Sequence, residues 1–232
     1  MTTSPHDPSP PPTTVVFDLG GVLIAWDPAL AFADVLEPHE VQPFFDEIGF
    51  EEWNLAQDRG RTLAEGVREL GARFPHRAAH IAAYERSWQS SLTGEMPETV
   101  TVVDELERAG VRLLALTNWS AETFPWAMQT FPVLRRFEGV VVSGVERLVK
   151  PDAAIFELLL DRYGLDAGAT VFVDDKPANV EAAVALGLHG LVFTDAPTLR
   201  ADLQRLGVLD TPPPTSTATA QATDTAQATG TA

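Results

Sequence analysis

The sequence predicts an α/β protein with a Rossmann-like three-layer core, a parallel five-stranded sheet and an inserted helical domain. From about residue 97 onward, short and nearly all-apolar segments alternate with helical patterns, which is typical of a parallel sheet covered on both faces. About 90 residues separate the first strand-like segment from the next strong one, which indicates an insertion. Polar residues lie at or after the ends of four of the predicted strands, which suggests that they share one site.

The first predicted strand covers residues 15–19 and delivers a carboxylate, Asp18, to its end. A charge at the end of a buried strand is costly unless it meets a cation or a hydrogen-bond donor. Gly20 and Gly21 follow, and glycine lets the backbone turn sharply and approach a ligand closely. We interpret Asp18 as the reactive residue of an enzyme. An edge strand that ends in an acidic turn is the alternative that this stretch leaves open.

A plain βαβ unit would return to the sheet within roughly 30 residues. Instead, residues 26–95 have helical patterns. Thr62 and Glu65 have the spacing of a capping box. A later stripe of Ile81, Tyr84, Trp88 and Leu92 predicts a helix that ends near residue 94. We therefore expect a disordered leader at 1–12, a core formed by 13–25 and 96–209, a helical domain at 26–95 and a disordered tail at 210–232.

The second half of the chain supplies the remaining strands and the helices between them. A helical stripe from residue 97 stops before Gly110, a suitable residue to end a helix. A helix over 152–163 stops at Gly164, and Pro177 fits the first turn of a helix that runs to residue 187. The four further strands are predicted at 111–116, 140–142, 170–173 and 191–193.

Composition excludes several classes of function. The formal net charge of -17 disfavours nucleic acids and anionic membranes as partners, because both would repel the protein. The chain has no cysteine, so it has no disulfide, no thiolate nucleophile and no cysteine-based zinc site. It also lacks an apolar run of membrane-spanning length and the pattern of a signal peptide. We therefore expect a cytoplasmic enzyme.

The use of cations is uneven along the chain. Of the 16 cationic residues, 14 are arginine and only two, Lys150 and Lys176, are lysine. Each lysine is followed by proline. Because lysine and arginine differ in shape and hydration, a chain that otherwise uses arginine is expected to need a compact ammonium group at these two places. Chance is the alternative.

The polar strand ends form a chemically complementary set. Ligands of open α/β sheets bind at the carboxyl ends of the strands, so these residues are expected to meet in one crevice. Carboxylate oxygens suit Mg²⁺, while a hydroxyl, an amide and an ammonium group can hold a tetrahedral anion. A carboxylate that faces such an anion is the arrangement for covalent phosphoryl transfer. The residues concerned are Asp18, Thr117, Asn118, Lys150, Asp174 and Asp175.

These motifs resemble the haloacid dehalogenase superfamily of hydrolases, and the resemblance covers about residues 13–209. The insertion is similar to the helical C1 cap of subfamily IA. The small sugar-phosphate phosphatases with an Asp-Leu-Gly first motif are the most similar group. The motifs that carry the resemblance are Asp18-Leu19-Gly20-Gly21-Val22, Thr117-Asn118, Lys150-Pro151, and Asp174-Asp175 with Asn179.

The resemblance implies a role for each of these positions. Asp18 would attack phosphorus and become an aspartyl phosphate, and Lys150 would neutralise charge beside it. The Thr117 side chain and the backbone N–H of Asn118 would bind the phosphoryl oxygens. Mg²⁺ would be the cofactor, and Asn179 would orient the acidic pair or Lys150 from behind. The implied Mg²⁺ ligands are Asp18, the backbone carbonyl of Gly20, Asp174 and Asp175.

One position departs from the family pattern. Family phosphatases usually carry a second aspartate two residues after the nucleophile, which acts as general acid and base, but here that position is Gly20. Losing such a group typically costs about 10²–10⁴ in rate. Another residue substitutes for it, or the substrate has a good leaving group, or the protein hydrolyses phosphate esters poorly.

The resemblance implies a Mg²⁺-dependent phosphatase that hydrolyses a small phosphorylated metabolite, such as a sugar phosphate. One alternative is a metal-free 2-haloacid dehalogenase, which would tolerate Gly20 but would gain nothing from the Asp174–Asp175 pair. The other is a phosphate-binding regulatory protein with low turnover. Trp119 and Arg59 are candidate substrate-binding residues, with packing and a solvated helix end as their alternative roles. We expect a monomer or homodimer with a small-molecule substrate and no nucleic-acid or membrane partner.

Overall fold

A computed structural model describes residues 10–210 of the chain. Most of the predicted leader and nearly all of the predicted tail lie outside these residues. The strands are β1 (Thr14–Phe17), β2 (Ile24–Trp26), β3 (Leu92–Glu95), β4 (Arg112–Thr117), β5 (Gly139–Val142), β6 (Thr170–Asp174) and β7 (His189–Val192). The α-helices are α1 (Pro38–Ile48), α2 (Phe50–Asp58), α3 (Leu63–Arg73), α4 (Ala78–Ser87), α5 (Pro97–Arg108), α6 (Phe124–Thr130), α7 (Ser143–Glu146), α8 (Ala153–Tyr163), α9 (Pro177–Ala185) and α10 (Ala196–Arg205).

The central sheet is parallel and has five strands in the order β5-β4-β1-β6-β7. β1 lies in the middle, where Val15 pairs with Leu113 on one side and with Val171 on the other. Alternate side chains of a strand point to opposite faces. Thus Val15 and its neighbours pack under α5 and α10, while Val16 and its neighbours pack under α8 and α9. The predicted α/β three-layer fold is confirmed.

The helices of the insertion lie between β2 and β3, which pair as a two-stranded antiparallel ribbon. They enclose a separate core that is rich in aromatic rings, including Phe32, Phe44, Phe50 and Tyr84. The capping box at the start of α3 is present: Thr62 Oγ1 accepts a hydrogen bond from the Glu65 N–H at 3.2 Å, and the Glu65 carboxylate accepts one from the Thr62 N–H at 3.2 Å. Burial of these apolar side chains is the main source of stability for such short helices.

The structure corrects one predicted element. α4 ends at Ser87, a 3₁₀ turn follows, and Leu92 belongs to β3 rather than to a helix that continues to residue 94. The physical reason is pairing with β2. The backbone of residues 92–95 aligns with Ile24–Trp26, and the Asp27 N–H donates to the Ser91 carbonyl at 2.8 Å. Of the helices between residues 10 and 210, none is long and apolar enough to cross a bilayer.

Candidate active site

The central feature of the site is a buried cation between two buried carboxylates. Lys150 Nζ lies 2.8 Å from Asp18 Oδ1 and 2.7 Å from Asp174 Oδ2. Asp18 directly follows β1 and Asp174 ends β6, and these strands are neighbours in the sheet. The parallel register therefore brings the two carboxylates together, and Lys150 enters from the loop after α7.

Burial shifts the pKa of the lysine and the pKa values of the carboxylates in this group in opposite directions. It would lower the pKa of the Lys150 ammonium, but Asp18 and Asp174 outweigh it and hold that pKa above its ordinary value. Burial raises the pKa of Asp18 to about 6, against the opposing pull of Lys150. One ammonium group thus serves two carboxylates, so the site keeps an excess of negative charge when all three groups are ionised.

Two asparagines hold this group in place. The Asn179 amide, in the first turns of α9, donates to both carboxylate oxygens of Asp174 at 3.0 Å. The Lys176 N–H donates to Asp174 Oδ1 at 2.8 Å. The Asn118 side chain forms two hydrogen bonds with the backbone of Lys150, donating to its carbonyl at 3.0 Å and accepting from its N–H at 2.9 Å. Asn118 therefore positions the segment that carries the lysine.

A third carboxylate completes a candidate metal site. Asp18, Asp174 and Asp175 each offer an oxygen, and the three oxygens lie within 4.8 Å of one another. Burial, together with the charge of Asp174, raises the pKa of Asp175. These carboxylates therefore repel one another when no further cation is bound. A cluster of hard oxygen donors with excess negative charge fits Mg²⁺.

The two glycines after Asp18 have different constraints. Gly21 has a positive φ of 75°, and a Cβ there would lie only 2.9 Å from Asp175 Oδ2, so a side chain would displace the carboxylate. A Cβ on Gly20 would meet no atom within 4 Å. Glycine is thus required at position 21, whereas position 20 has room for a side chain.

A cavity of about 1110 Å³ lies over this group, between the carboxyl-terminal ends of the strands and the helices of the insertion. Its core side includes Asp18, Gly20, Asn118, Lys150, Asp175 and Lys176, so both lysines of the chain line it. The walls on the insertion side mix apolar and aromatic side chains with acidic and amide ones, among them Glu51, Glu52 and Asp58. Among the described residues, no arginine lines this cavity. The apolar lining includes Trp26, Val41, Phe45, Phe50, Leu55, Tyr84, Trp88, Leu92 and Trp119.

The remaining predicted site residues lie in different places. Trp119 lines the cavity, and its indole N–H donates to Thr123 Oγ1 at 3.0 Å. Thr117 ends β4 and is buried, but within the described part of the chain it is not among the lining residues. Arg59 lies outside the cavity, with its guanidinium 3.8 Å from Asp152. The geometry therefore gives no support to Arg59 as a substrate ligand, because its exposed guanidinium lies beside Asp152 and not in the cavity.

Two residues of the site escaped the sequence analysis. Ser143 Oγ accepts a hydrogen bond from the Trp119 N–H at 2.9 Å and so anchors the loop after β4. Asp58 ends α2 and lines the cavity together with Asp18. Burial raises the pKa of Asp58 to about 7, although Lys176 opposes the shift. No local pattern marks Asp58, because only the packing of the insertion over the sheet brings it to the site.

Known proteins that are similar in sequence to this chain include two phosphatases. A 30% identical relative over 196 residues is the sesquiterpene phosphatase astK of Aspergillus oryzae, an alignment that spans 82% of this chain and 94% of that one. A phosphoglycolate phosphatase of Caulobacter vibrioides is 26% identical, over 86% and 89% of the two chains.

A solved structure of similar fold is a HAD family enzyme from Bacteroides thetaiotaomicron in complex with magnesium and inorganic phosphate. It has a TM-score of 0.59 and 24% identity, over 78% of this chain and 94% of that one. The family model of haloacid dehalogenase-like hydrolases matches residues 12–187. The chain is therefore a member of the haloacid dehalogenase-like hydrolases.

Proposed function

We propose that this hydrolase is a Mg²⁺-dependent phosphatase that acts through an aspartyl-phosphate intermediate. The observation that carries the proposal is the group at the floor of the cavity, where Asp18 is paired to Lys150 and clusters with the carboxylates of Asp174 and Asp175. Asp18 Oδ1 accepts hydrogen bonds from Lys150 and from the Leu19 N–H, which leaves Oδ2 as the nucleophile. Bound Mg²⁺ would neutralise charge on the phosphoryl group.

The residues around Asp18 have defined parts in this proposal. Lys150 stabilises the charge that develops when the phosphoryl group arrives, and its buried position makes that stabilisation strong because water does not screen it. The side chains of Asn118 and Asn179 keep Lys150 and Asp174 in position, and the backbone N–H of Asn118 would bind a phosphoryl oxygen. Asp18, Asp174, Asp175 and the Gly20 carbonyl would hold Mg²⁺. The similarity to two phosphatases supports phosphoryl transfer.

The metal-free dehalogenase is the weaker alternative. Its substrate would carry a carboxylate into a cavity whose floor already holds three. Lys150 offsets only part of the mutual repulsion of Asp18, Asp174 and Asp175; a further cation would relieve the rest, and a dehalogenase reaction supplies none. The carboxylate cluster therefore favours the phosphatase.

Removal of the metal should abolish phosphate release. We expect EDTA to reduce hydrolysis of 4-nitrophenyl phosphate to the level without enzyme, and added Mg²⁺ to restore it. Because Mg²⁺ would bind the folded state only, it should also raise the thermal midpoint of unfolding in a concentration-dependent way. Asp175→Asn should lose this thermal response. Phosphate release that resists EDTA, or chloride release from 2-chloropropionate without metal, would contradict the proposal.

The walls of the cavity indicate the kind of substrate. The only cations among its described lining residues are Lys150 and Lys176, both at the floor, so a second anionic group would find no partner farther out. The walls above combine aromatic and aliphatic side chains, which form the larger part, with acidic and amide side chains that would not bind a second anion. We infer that the substrate is a phosphate monoester of a largely apolar alcohol. The similarity to a sesquiterpene phosphatase supports this class over sugar phosphates and phosphoglycolate.

A series of linear alkyl phosphates would test the substrate class. Each methylene buried in the cavity contributes roughly 0.8 kcal/mol, or up to about fourfold in kcat/KM. We therefore expect kcat/KM to rise steeply with chain length until the cavity is full. Leu55→Asn, which places an amide on the wall, should flatten this dependence while inorganic phosphate inhibits as before. A preference for glucose 1-phosphate or phosphoglycolate over every alkyl ester would contradict the inference.

A further inference from the structure

The proposed reaction lacks a proton donor near Asp18 in the sequence, because position 20 is glycine. An alkoxide leaving group is a strong base, so its departure needs a proton from a positioned acid. Phosphoryl transfer places the attacking and leaving oxygens roughly in line. Asp18 attacks from the carboxyl-terminal end of the central strand, so the leaving oxygen would lie on the opposite side, toward the insertion. The acid should therefore be sought among the cavity residues of the insertion.

Asp58 is placed on that side. It is the last residue of α2 and lines the same cavity as Asp18 and Lys150. Its Oδ2 lies 3.4 Å from the Asn54 amide nitrogen, and the Tyr84 hydroxyl lies 3.4 Å from Asn54 Oδ1. These two contacts connect Asp58, through Asn54, to Tyr84 in the aromatic core of the insertion.

The arginines next to Asp58 in sequence are engaged elsewhere. Arg59 lies beside Asp152, and Arg61 lies 3.1 Å from Glu69 and donates to the Trp53 carbonyl at 2.9 Å. Within residues 10–210, Asp58 has no salt bridge. The other carboxylates of the insertion that line the cavity are placed differently: Asp27 caps a 3₁₀ turn, Asp46 accepts a hydrogen bond from Gln42, and Glu51 and Glu52 are exposed in the first turn of α2, at the opposite end of that helix from Asp58.

The charged and titratable groups that face Asp58 are Asp18, Lys150, Lys176 and the phenol of Tyr84. Burial is the largest influence on Asp58 and raises its pKa to about 7. A carboxyl group that titrates near neutral pH can both give and take a proton under working conditions. Its position in the cavity and its protonation behaviour thus suit the same role.

We propose that Asp58 is the general acid and base of this enzyme and substitutes for the carboxylate absent at position 20, an inference that rests on the proposed phosphatase function. Asp18 Oδ2 forms a bond to phosphorus as the bond from phosphorus to the ester oxygen breaks, and the protonated Asp58 gives its proton to that oxygen, which leaves as an alcohol. The Asp58 carboxylate then takes a proton from water. The water oxygen attacks phosphorus, the bond to Asp18 breaks, and inorganic phosphate leaves with Asp58 protonated again.

Asp58→Asn tests this role with two substrates. An alkyl phosphate needs protonation of its leaving group, whereas 4-nitrophenyl phosphate does not. We expect kcat/KM for the alkyl ester to fall by about 10²–10³-fold and for the aryl ester by less than about tenfold. Asp34→Asn, on the exposed surface of the insertion, should change neither value. Equal losses for the two esters would overturn the proposal.

The pH dependence of kcat/KM provides a second readout that a purely structural role would not move. In the wild-type enzyme, kcat/KM for the alkyl ester should decline as pH rises above about 7, since the protonated fraction of Asp58 falls. That decline should be missing in Asp58→Asn. An unchanged alkaline limb in the variant would overturn the assignment.

A rescue variant completes the test. Because position 20 has open space, Gly20→Asp combined with Asp58→Asn should recover alkyl phosphate hydrolysis at least tenfold over Asp58→Asn alone. No recovery, with the fold intact by circular dichroism, would count against the proposal. If the wild type releases phosphate and Asp58→Asn matches it on both esters, the role of Asp58 fails alone. If the wild type hydrolyses no phosphate ester, the proposed function fails with it.

Discussion

Replacing Asp18 with asparagine should reduce phosphate release by roughly 10⁴-fold or more. The amide has nearly the same shape and can still accept the Leu19 N–H hydrogen bond through its oxygen, which in the wild type is 2.7 Å long. An amide oxygen is a far weaker nucleophile toward phosphorus than a carboxylate. Steady-state release of phosphate, with and without Mg²⁺, measures the effect.

The matched control for this substitution is Asp161→Asn, an exposed carboxylate on α8 that lies away from the cavity. It should keep full activity. Trapping of a phosphorylated protein in acid quench should succeed with the wild type and fail with Asp18→Asn. An active Asp18→Asn enzyme would exclude Asp18 as the nucleophile and with it the aspartyl-phosphate route.

Lys150→Met should lower the free energy of unfolding by about 3–5 kcal/mol and also abolish activity. Lys150 is 2% exposed and contacts Asp18 and Asp174 directly. Without its ammonium group, two buried carboxylates keep their desolvation cost and lose the cation that offsets it. Urea unfolding at pH 7, followed by tryptophan fluorescence, measures the change.

Two further variants separate this effect from a general loss of packing. Lys176→Met removes an exposed lysine of the same cavity and should change the unfolding free energy by less than about 0.5 kcal/mol. Asp174→Asn should restore part of the stability lost in Lys150→Met, because the two residues are in contact and their effects are not additive. A loss below about 1 kcal/mol in Lys150→Met would contradict this account.

The sequence predicted much of the site because its residues follow strand ends. Asp18 and Asp174 are far apart in the chain, but neighbouring parallel strands present their carboxyl ends on the same side of the sheet and so bring them together, and the loop after α7 adds Lys150. The contrast between 14 arginines and two lysines also proved informative, since both lysines line the cavity. The sequence pattern gave a wrong prediction at Leu92. Its spacing continues the apolar stripe of a helix, but its backbone pairs with β2.

Local pattern by itself determined the α/β class, the site of the insertion and the identity of the residues at the strand ends, because each follows from the residues of one short segment. Tertiary structure decided which side chains of the insertion reach the sheet edge. Arg59 and Asp58 are adjacent in sequence, yet one lies beside Asp152 on the surface and the other lines the cavity. At the end of α2, neighbouring side chains point in different directions. Only the packing of the insertion on the core determines which of them faces Asp18.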